Sequence, residues 1–242
     1  MLLIAILTFV VALLLQRVSV KAVQLLWYPH LSWLQVAQQV EKQPIFLIVA
    51  QIVLYIPTAL LMIATVEGKY QVPFWRAIGW KWPRTVWKWI ALGVVLLLVL
   101  SMFENLLPMP NDTPFQRLFD RPLDAYLVGL VSITLAPLIE ELFFRGLLYP
   151  VLARKTGMAW GVVLSALPFA LLHLPQYGDA WAAGLVIFIV GLVLGVVRAK
   201  TRSVASSFLV HAGYNGTLLL IALALTHGFT STPKALLEGW LS

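Results

Sequence analysis

The segment Leu135-Ala136-Pro137-Leu138-Ile139-Glu140-Glu141-Leu142-Phe143-Phe144-Arg145-Gly146 decides how the chain is read. It sets two adjacent carboxylates and a guanidinium inside an otherwise apolar run. A charged side chain at a bilayer midplane costs roughly 2.5–3.5 kcal/mol on insertion scales, so three close together need a cause. Glu141 and Arg145 are spaced i, i+4 and can pair on one helix face. At about 3.6 residues per turn Glu140 points about 100° away, free to face another partner. Pro137 removes a backbone donor and loosens the helix a turn upstream. A membrane tolerates this only where a cavity or a neighbour re-satisfies the freed carbonyl. A structural ion pair locking two helices needs one carboxylate, and here there are two.

Working outward, hydrophobic residues make up 61% of the 242 and charged residues 11%, with a mean hydropathy of +0.90. Soluble domains are about half apolar and a quarter charged, so this is a polytopic membrane protein in contact with the lipid bilayer. The net charge of +7 is carried largely by loops between apolar runs, as expected of cytoplasmic loops facing anionic lipid. Lys69, Arg76, Lys81, Arg84 and Lys88 mingle with Trp75, Trp80, Trp82 and Trp87. Tryptophan beside basic residues at span ends is a membrane-interface belt, so no nucleic-acid partner is expected. The chain has no cysteine, which excludes disulfides, thiolate metal sites and a cysteine nucleophile.

Apolar runs of spanning length fall at Met1–Leu15, Pro44–Val66, Trp87–Leu107, Leu123–Leu152, Ala159–Leu174, Trp181–Val197 and Val204–His227. A span needs about 20 residues. The expected fold is therefore an all-α, polytopic transmembrane helical bundle of about seven spans, with six to eight allowed by the stretch Val18–Val40. That stretch reads as an extension of the first run, an interfacial helix or a weak span. The first run lacks a basic n-region and a small-residue cleavage site, so it is expected to be a retained helix rather than a signal peptide. Even-numbered loops carry ten Lys/Arg against six for the odd-numbered loops and the C-terminus, which favours a cytoplasmic N-terminus.

A proline-rich polar loop from Pro108 to Pro122, with Asn111, Asp112, Thr113 and Pro114, divides the chain. Before it no span has an ionisable residue near its centre; after it three of four contain one. The expected organisation is N-terminal transmembrane helices and interfacial loops over 1–122, a catalytic transmembrane core over 123–227, and a short tail over 228–242.

Glu140, Glu141, Arg145, His173, His211 and Asn215 are nearly all the strongly polar groups within the last four spans, the last two one turn apart on one face. His30 and His227 read as interfacial side chains. Ionisable residues in spans face the bundle interior and seek each other, so convergence on one wet cavity is the least costly arrangement. Three chemistries fit. In hydrolysis, Glu140 is a general base on water with His173 orienting the proton, and His211 and Asn215 donate to an oxyanion. In a metal variant, Glu140, His173 and His211 hold a divalent ion such as zinc, although the usual Glu-x-x-His and His-Glu-x-x-His spacings are absent. In transport, the set relays protons, but transporters usually show repeats with broken helices in both halves. No Gly-x-Ser-x-Gly elbow, His-Glu-x-x-His motif or paired span aspartates occur, which disfavours serine, classical zinc and aspartyl peptidases. Gly184, Gly191 and Gly195 form a small-residue stripe, read as helix packing inside the bundle rather than a dimer seam.

These residues resemble the CPBP family, which comprises CAAX prenyl endopeptidases and Abi bacteriocin-processing membrane proteins. Glu140-Glu141-x-x-x-Arg145 is similar to its first motif, Phe169-x-x-x-His173 to its second and His211-x-x-x-Asn215 to its third. The resemblance covers about Leu123–His227. It implies an intramembrane endopeptidase in which Glu140 and His173 activate water, His211 and Asn215 stabilise the oxyanion, and Glu141, Arg145 and Phe169 support them. It implies a protein or peptide substrate and leaves both a metal-free glutamate mechanism and a metal-dependent one open. It gives no oligomeric state. Some relatives are non-catalytic immunity or scaffold proteins, and the compact length resembles prokaryotic members, for which prenylated substrates are not expected.

Overall fold

The computed structural model describes residues 2–36, 44–104, 106–110, 113, 116–119 and 121–230. Asn111, Asp112 and Pro114 of the polar loop, residues 37–40, and the tail from 231 to 242 lie outside the described residues. All regular structure among the described residues is helical. The chain divides into two compact units, one up to Ala77 and one from Ile78 onward.

In the first unit α1 (Leu2–Trp27) packs along α2 (Pro44–Tyr70). The first apolar run thus continues as one helix through Arg17 and Lys21 to Trp27. A short helix, α3 (Phe74–Ile78), begins where the Glu67 carboxylate accepts the Phe74 backbone N–H at 2.8 Å.

The second unit holds α4 (Val86–Glu104), α5 (Pro122–Ile133), α6 (Leu135–Glu141), a π-helical segment (Leu142–Leu148), α7 (Tyr149–Thr156), α8 (Met158–His173), α9 (Trp181–Thr201) and α10 (Val204–Leu225). The run expected as one span over Leu123–Leu152 is a continuous helical stretch, Pro122–Thr156, broken internally. Among the described residues six stretches are long and apolar enough to cross a bilayer: Ile48–Tyr70, Val86–Glu104, Pro122–Thr156, Met158–Tyr177, Trp181–Thr201 and Val204–Leu225. With α1 they agree with the expected polytopic bundle of about seven spans. This is an integral membrane protein.

Its polarity is inverted relative to a soluble fold. Val95, Leu98, Met102, Leu167 and Leu220 are exposed, while Glu141, Arg145, Ser207 and His211 are buried. Lipid removes the hydrophobic drive between helices, so close backbone approach must hold them. Glycines allow it. α4 crosses α10 at Gly93 and Gly213. A Cβ on Gly93 would run into the Val210 carbonyl, and one on Gly213 would sit 2.5 Å from the Ile90 carbonyl oxygen. The stripe on α9 faces the same bundle: a Cβ on Gly191 would lie 3.1 Å from Ala166, and one on Gly195 would lie 2.9 Å from Val162, both on α8. These glycines therefore serve packing within the chain, as their spacing suggested.

The crossing yields a stability prediction. Gly213→Ala should lower the melting temperature of the detergent-purified protein, by the equivalent of about 1–3 kcal/mol of overpacking. Gly216→Ala, whose Cβ would meet its nearest neighbour at 3.9 Å, should leave it almost unchanged. Equal effects of the two variants would contradict the crossing.

Candidate active site

The helix carrying the two glutamates is interrupted twice. Pro137 has no N–H to offer the preceding turn, and the chain breaks at Thr134, with φ −112° and ψ −79°, between α5 and α6. Beyond Glu141 the backbone widens into the π segment, and the Tyr149 N–H closes on the Phe144 carbonyl five residues back. The upstream break was foreseen from Pro137; the π segment was not.

Glu141 is fully buried and is the best-satisfied group in the site. Its Oε1 accepts Arg145 Nη1 at 2.9 Å and faces His211 Nδ1 at 3.1 Å, while its Oε2 accepts the Ser207 hydroxyl at 2.5 Å. Arg145, equally buried, donates Nη2 to the Gly191 carbonyl at 2.9 Å. Its guanidinium carbon lies 4.6 Å from the centre of the Phe169 ring, and its Nε–H has no hydrogen-bond partner among the described residues. One buried pair thus ties the π-bearing helix to α9 and α10, with Phe169 of α8 beneath it.

Glu140 takes the other direction, as its rotation predicted. Its carboxylate lies 3.8 Å from His173 Nε2 and 3.7 Å from His211 Nε2, each imidazole facing a different oxygen. Neither distance is a direct hydrogen bond. The Nδ1 atoms explain why these nitrogens face inward. His173 Nδ1 is 2.7 Å from the Phe169 carbonyl, which can only accept. His211 Nδ1 faces a Glu141 carboxylate that already accepts from Arg145. Both Nδ1 atoms therefore carry hydrogen, and in the neutral rings both Nε2 atoms present lone pairs towards Glu140. Three acceptors face one another across a gap that suits a small bridging donor. Glu140 is 18% exposed and His173 19%, so the gap is accessible.

Asn215 is placed differently. Its Nδ2 donates to the Ser132 carbonyl at 2.7 Å, at the broken end of α5. One amide hydrogen is held there and the second is free of any described partner in the protein. The structure thus brings together Glu140, Glu141, Arg145, Phe169, His173 and His211, and sets Asn215 one turn along α10 against the helix break.

Glu140, His173 and His211 were also the residues weighed as metal ligands. Pinning of each Nδ1 by a carbonyl or carboxylate is compatible with metal-bound imidazoles. Yet among the described residues no three His, Cys, Asp or Glu side chains are placed to hold a metal ion.

Three contributors escaped the sequence reading. Ser207 is four residues before His211, so its shared face was legible, but it belongs to none of the three motifs. Gly191 had been read for its missing side chain, not its carbonyl. Arg198 reads in sequence as one more basic residue at a span end, yet its Nε donates to the Arg145 carbonyl at 3.0 Å.

The two glutamates should respond differently to substitution. Glu141→Ala leaves buried Arg145 unpaired and should cost roughly 3–5 kcal/mol, read as a large fall in melting temperature in detergent. Glu140→Gln removes no direct hydrogen bond and should stay within about 0.5 kcal/mol of wild type. A reversed order would refute the division of roles.

A family comparison bears on the same residues. The profile described as "Type II CAAX prenyl endopeptidase Rce1-like" matches residues 122–217, a region that contains every group named above from Glu140 to Asn215. No significant match was found among curated proteins or among solved structures. The resemblance read from the three motifs is borne out: residues 122–217 match the Rce1-like family model.

Proposed function

We propose that this protein is an intramembrane endopeptidase in which Glu140 and His173 activate a water molecule. The carrying observation is the placement of the Glu140 carboxylate between two imidazole Nε2 atoms at 3.7 and 3.8 Å, with both Nδ1 atoms pinned from behind. The match of residues 122–217 to a family described as CAAX prenyl endopeptidases supports the reaction class. The work is assigned to the region 123–227, with 1–122 as supporting membrane helices and interfacial loops.

In this reading a water lies within reach of Glu140 and His173. Glu140 takes one proton as the water oxygen attacks the scissile carbonyl, while His173 Nε2 accepts the second hydrogen and orients the attack. The carbonyl oxygen becomes an oxyanion. The remaining Asn215 N–H donates to it, and His211 does so from Nε2 when its ring carries a second proton, with Glu141 balancing that charge. Collapse breaks the C–N bond, and the proton held by Glu140 passes to the departing amine. One hydrogen of the water thus leaves on the amine, and the other stays on the new carboxyl group, whose hydroxyl oxygen came from the water.

The substrate is proposed to be a membrane-associated protein or peptide, since the gap opens within the lipid-facing bundle. This reading assigns activation to carboxylate and imidazole; the alternative is a divalent ion held by Glu140, His173 and His211.

Two measurements test this. New N-termini in membrane proteins should appear with the wild type and fall at least about 100-fold with Glu140→Gln or His173→Ala, in line with loss of a general base. Equal cleavage by Glu140→Gln would overturn the assignment. Cleavage should also survive chelator treatment, and purified protein should contain no stoichiometric divalent ion. Loss of activity on chelation, restored by zinc, would move the chemistry to the metal variant.

A further inference from the structure

The carbonyl of Arg145 lacks a donor within its own helix. In a π-helix the carbonyl of residue i is bonded by the N–H of residue i+5. For Arg145 that residue is Pro150, which has no N–H. The α-helical alternative, the Tyr149 N–H, is bonded to Phe144 instead. Arg198, in the last turn of α9, fills the gap from outside the helix: its Nε donates to the Arg145 carbonyl at 3.0 Å. The same guanidinium donates Nη2 to the Ile78 carbonyl at 3.1 Å and lies 5.8 Å from the Tyr149 ring.

We propose that Arg198 is a positioning residue for the proposed active site, supplying the hydrogen bond that Pro150 withholds and so holding the π segment in register. That register sets the stretch from Glu141 to Arg145, and through Glu141 the ring of His211. A topological charge at a span end would need only to reach the headgroups, a task open to Lys200 and Arg202 close by. Arg198 instead turns inward onto two carbonyls. The planar fork of arginine reaches both at once, which the single ammonium of lysine cannot do in the same geometry.

Pro150 makes the test specific, because Pro150→Ala returns the missing N–H. Full-length protein in nanodiscs is compared as wild type, Arg198→Gln, Arg198→Lys, Pro150→Ala and Pro150→Ala/Arg198→Gln. Hydrogen exchange of the amides from 146 to 149 is read alongside Glu140-dependent cleavage of membrane proteins. Arg198→Gln should speed exchange there at least tenfold and lower cleavage at least tenfold through kcat rather than KM. In the Pro150→Ala background the same substitution should change either readout less than threefold, with Arg198→Lys intermediate in the native background. If Arg198→Gln fails to fold alone, its recovery by Pro150→Ala supports the proposal, and failure in both backgrounds overturns it. Equal effects in the two backgrounds, or unchanged exchange, also overturn it. The cleavage arm rests on the hydrolase reading. The exchange arm does not, so absence of wild-type cleavage sinks that reading while the exchange cycle still decides the role of Arg198.

Discussion

The buried carboxylate of Glu141 is the interaction on which the rest of the structure depends. It accepts from a guanidinium on its own helix and from a hydroxyl on α10, and it faces an imidazole nitrogen on that helix. An isolated charge in this setting would be very costly, and so would an isolated guanidinium. Paired and hydrogen-bonded, they lock three helices in one relative placement. Arg145 extends the lock to the Gly191 carbonyl, which a side chain at that position would push away from α8. The supporting residue carries the architecture, which leaves its neighbour Glu140 unburdened and partly accessible.

That division explains why the helix is broken where it is. A regular helix through a bilayer satisfies its own backbone and offers no free groups. Pro137 and Pro150 each remove a donor from the stretch between Pro122 and Thr156, and the π segment lies between them. Neighbouring helices answer with side chains: Asn215 at the Ser132 carbonyl and Arg198 at the Arg145 carbonyl. Irregular backbone is thus confined to the bundle interior, where it can be satisfied, and it accompanies the polar cluster.

Much of this was legible in the sequence because the bilayer makes polar residues conspicuous. The all-helical bundle followed from apolar runs of spanning length. The Glu141–Arg145 pair and the opposed direction of Glu140 followed from helical rotation, and both survive in the structure. His173 and His211 stood out as the ionisable groups of their spans. The glycine stripe was correctly read as internal packing. What stayed hidden was backbone chemistry. Neither the π register nor the carbonyls of Gly191, Ser132 and Arg145 has a residue-type signature. Ser207 was obscured because serine is common in membrane helices and hydrogen-bonds locally. Arg198 was obscured because a basic residue at a span end already has a topological explanation. Asn215 shows both sides: its spacing from His211 was read correctly, but its bond to Ser132 is visible only once the break at Thr134 is known.

The most direct test concerns the ring tautomers, set at His211 by the Glu141 carboxylate and at His173 by the Phe169 carbonyl. In nitrogen-15 spectra of histidine-labelled protein in lipid bilayers, His173 and His211 should both carry hydrogen at Nδ1, with a marked change at His211 and little at His173 on Glu141→Gln. A His211 ring protonated only at Nε2, or one indifferent to Glu141→Gln, would contradict the account.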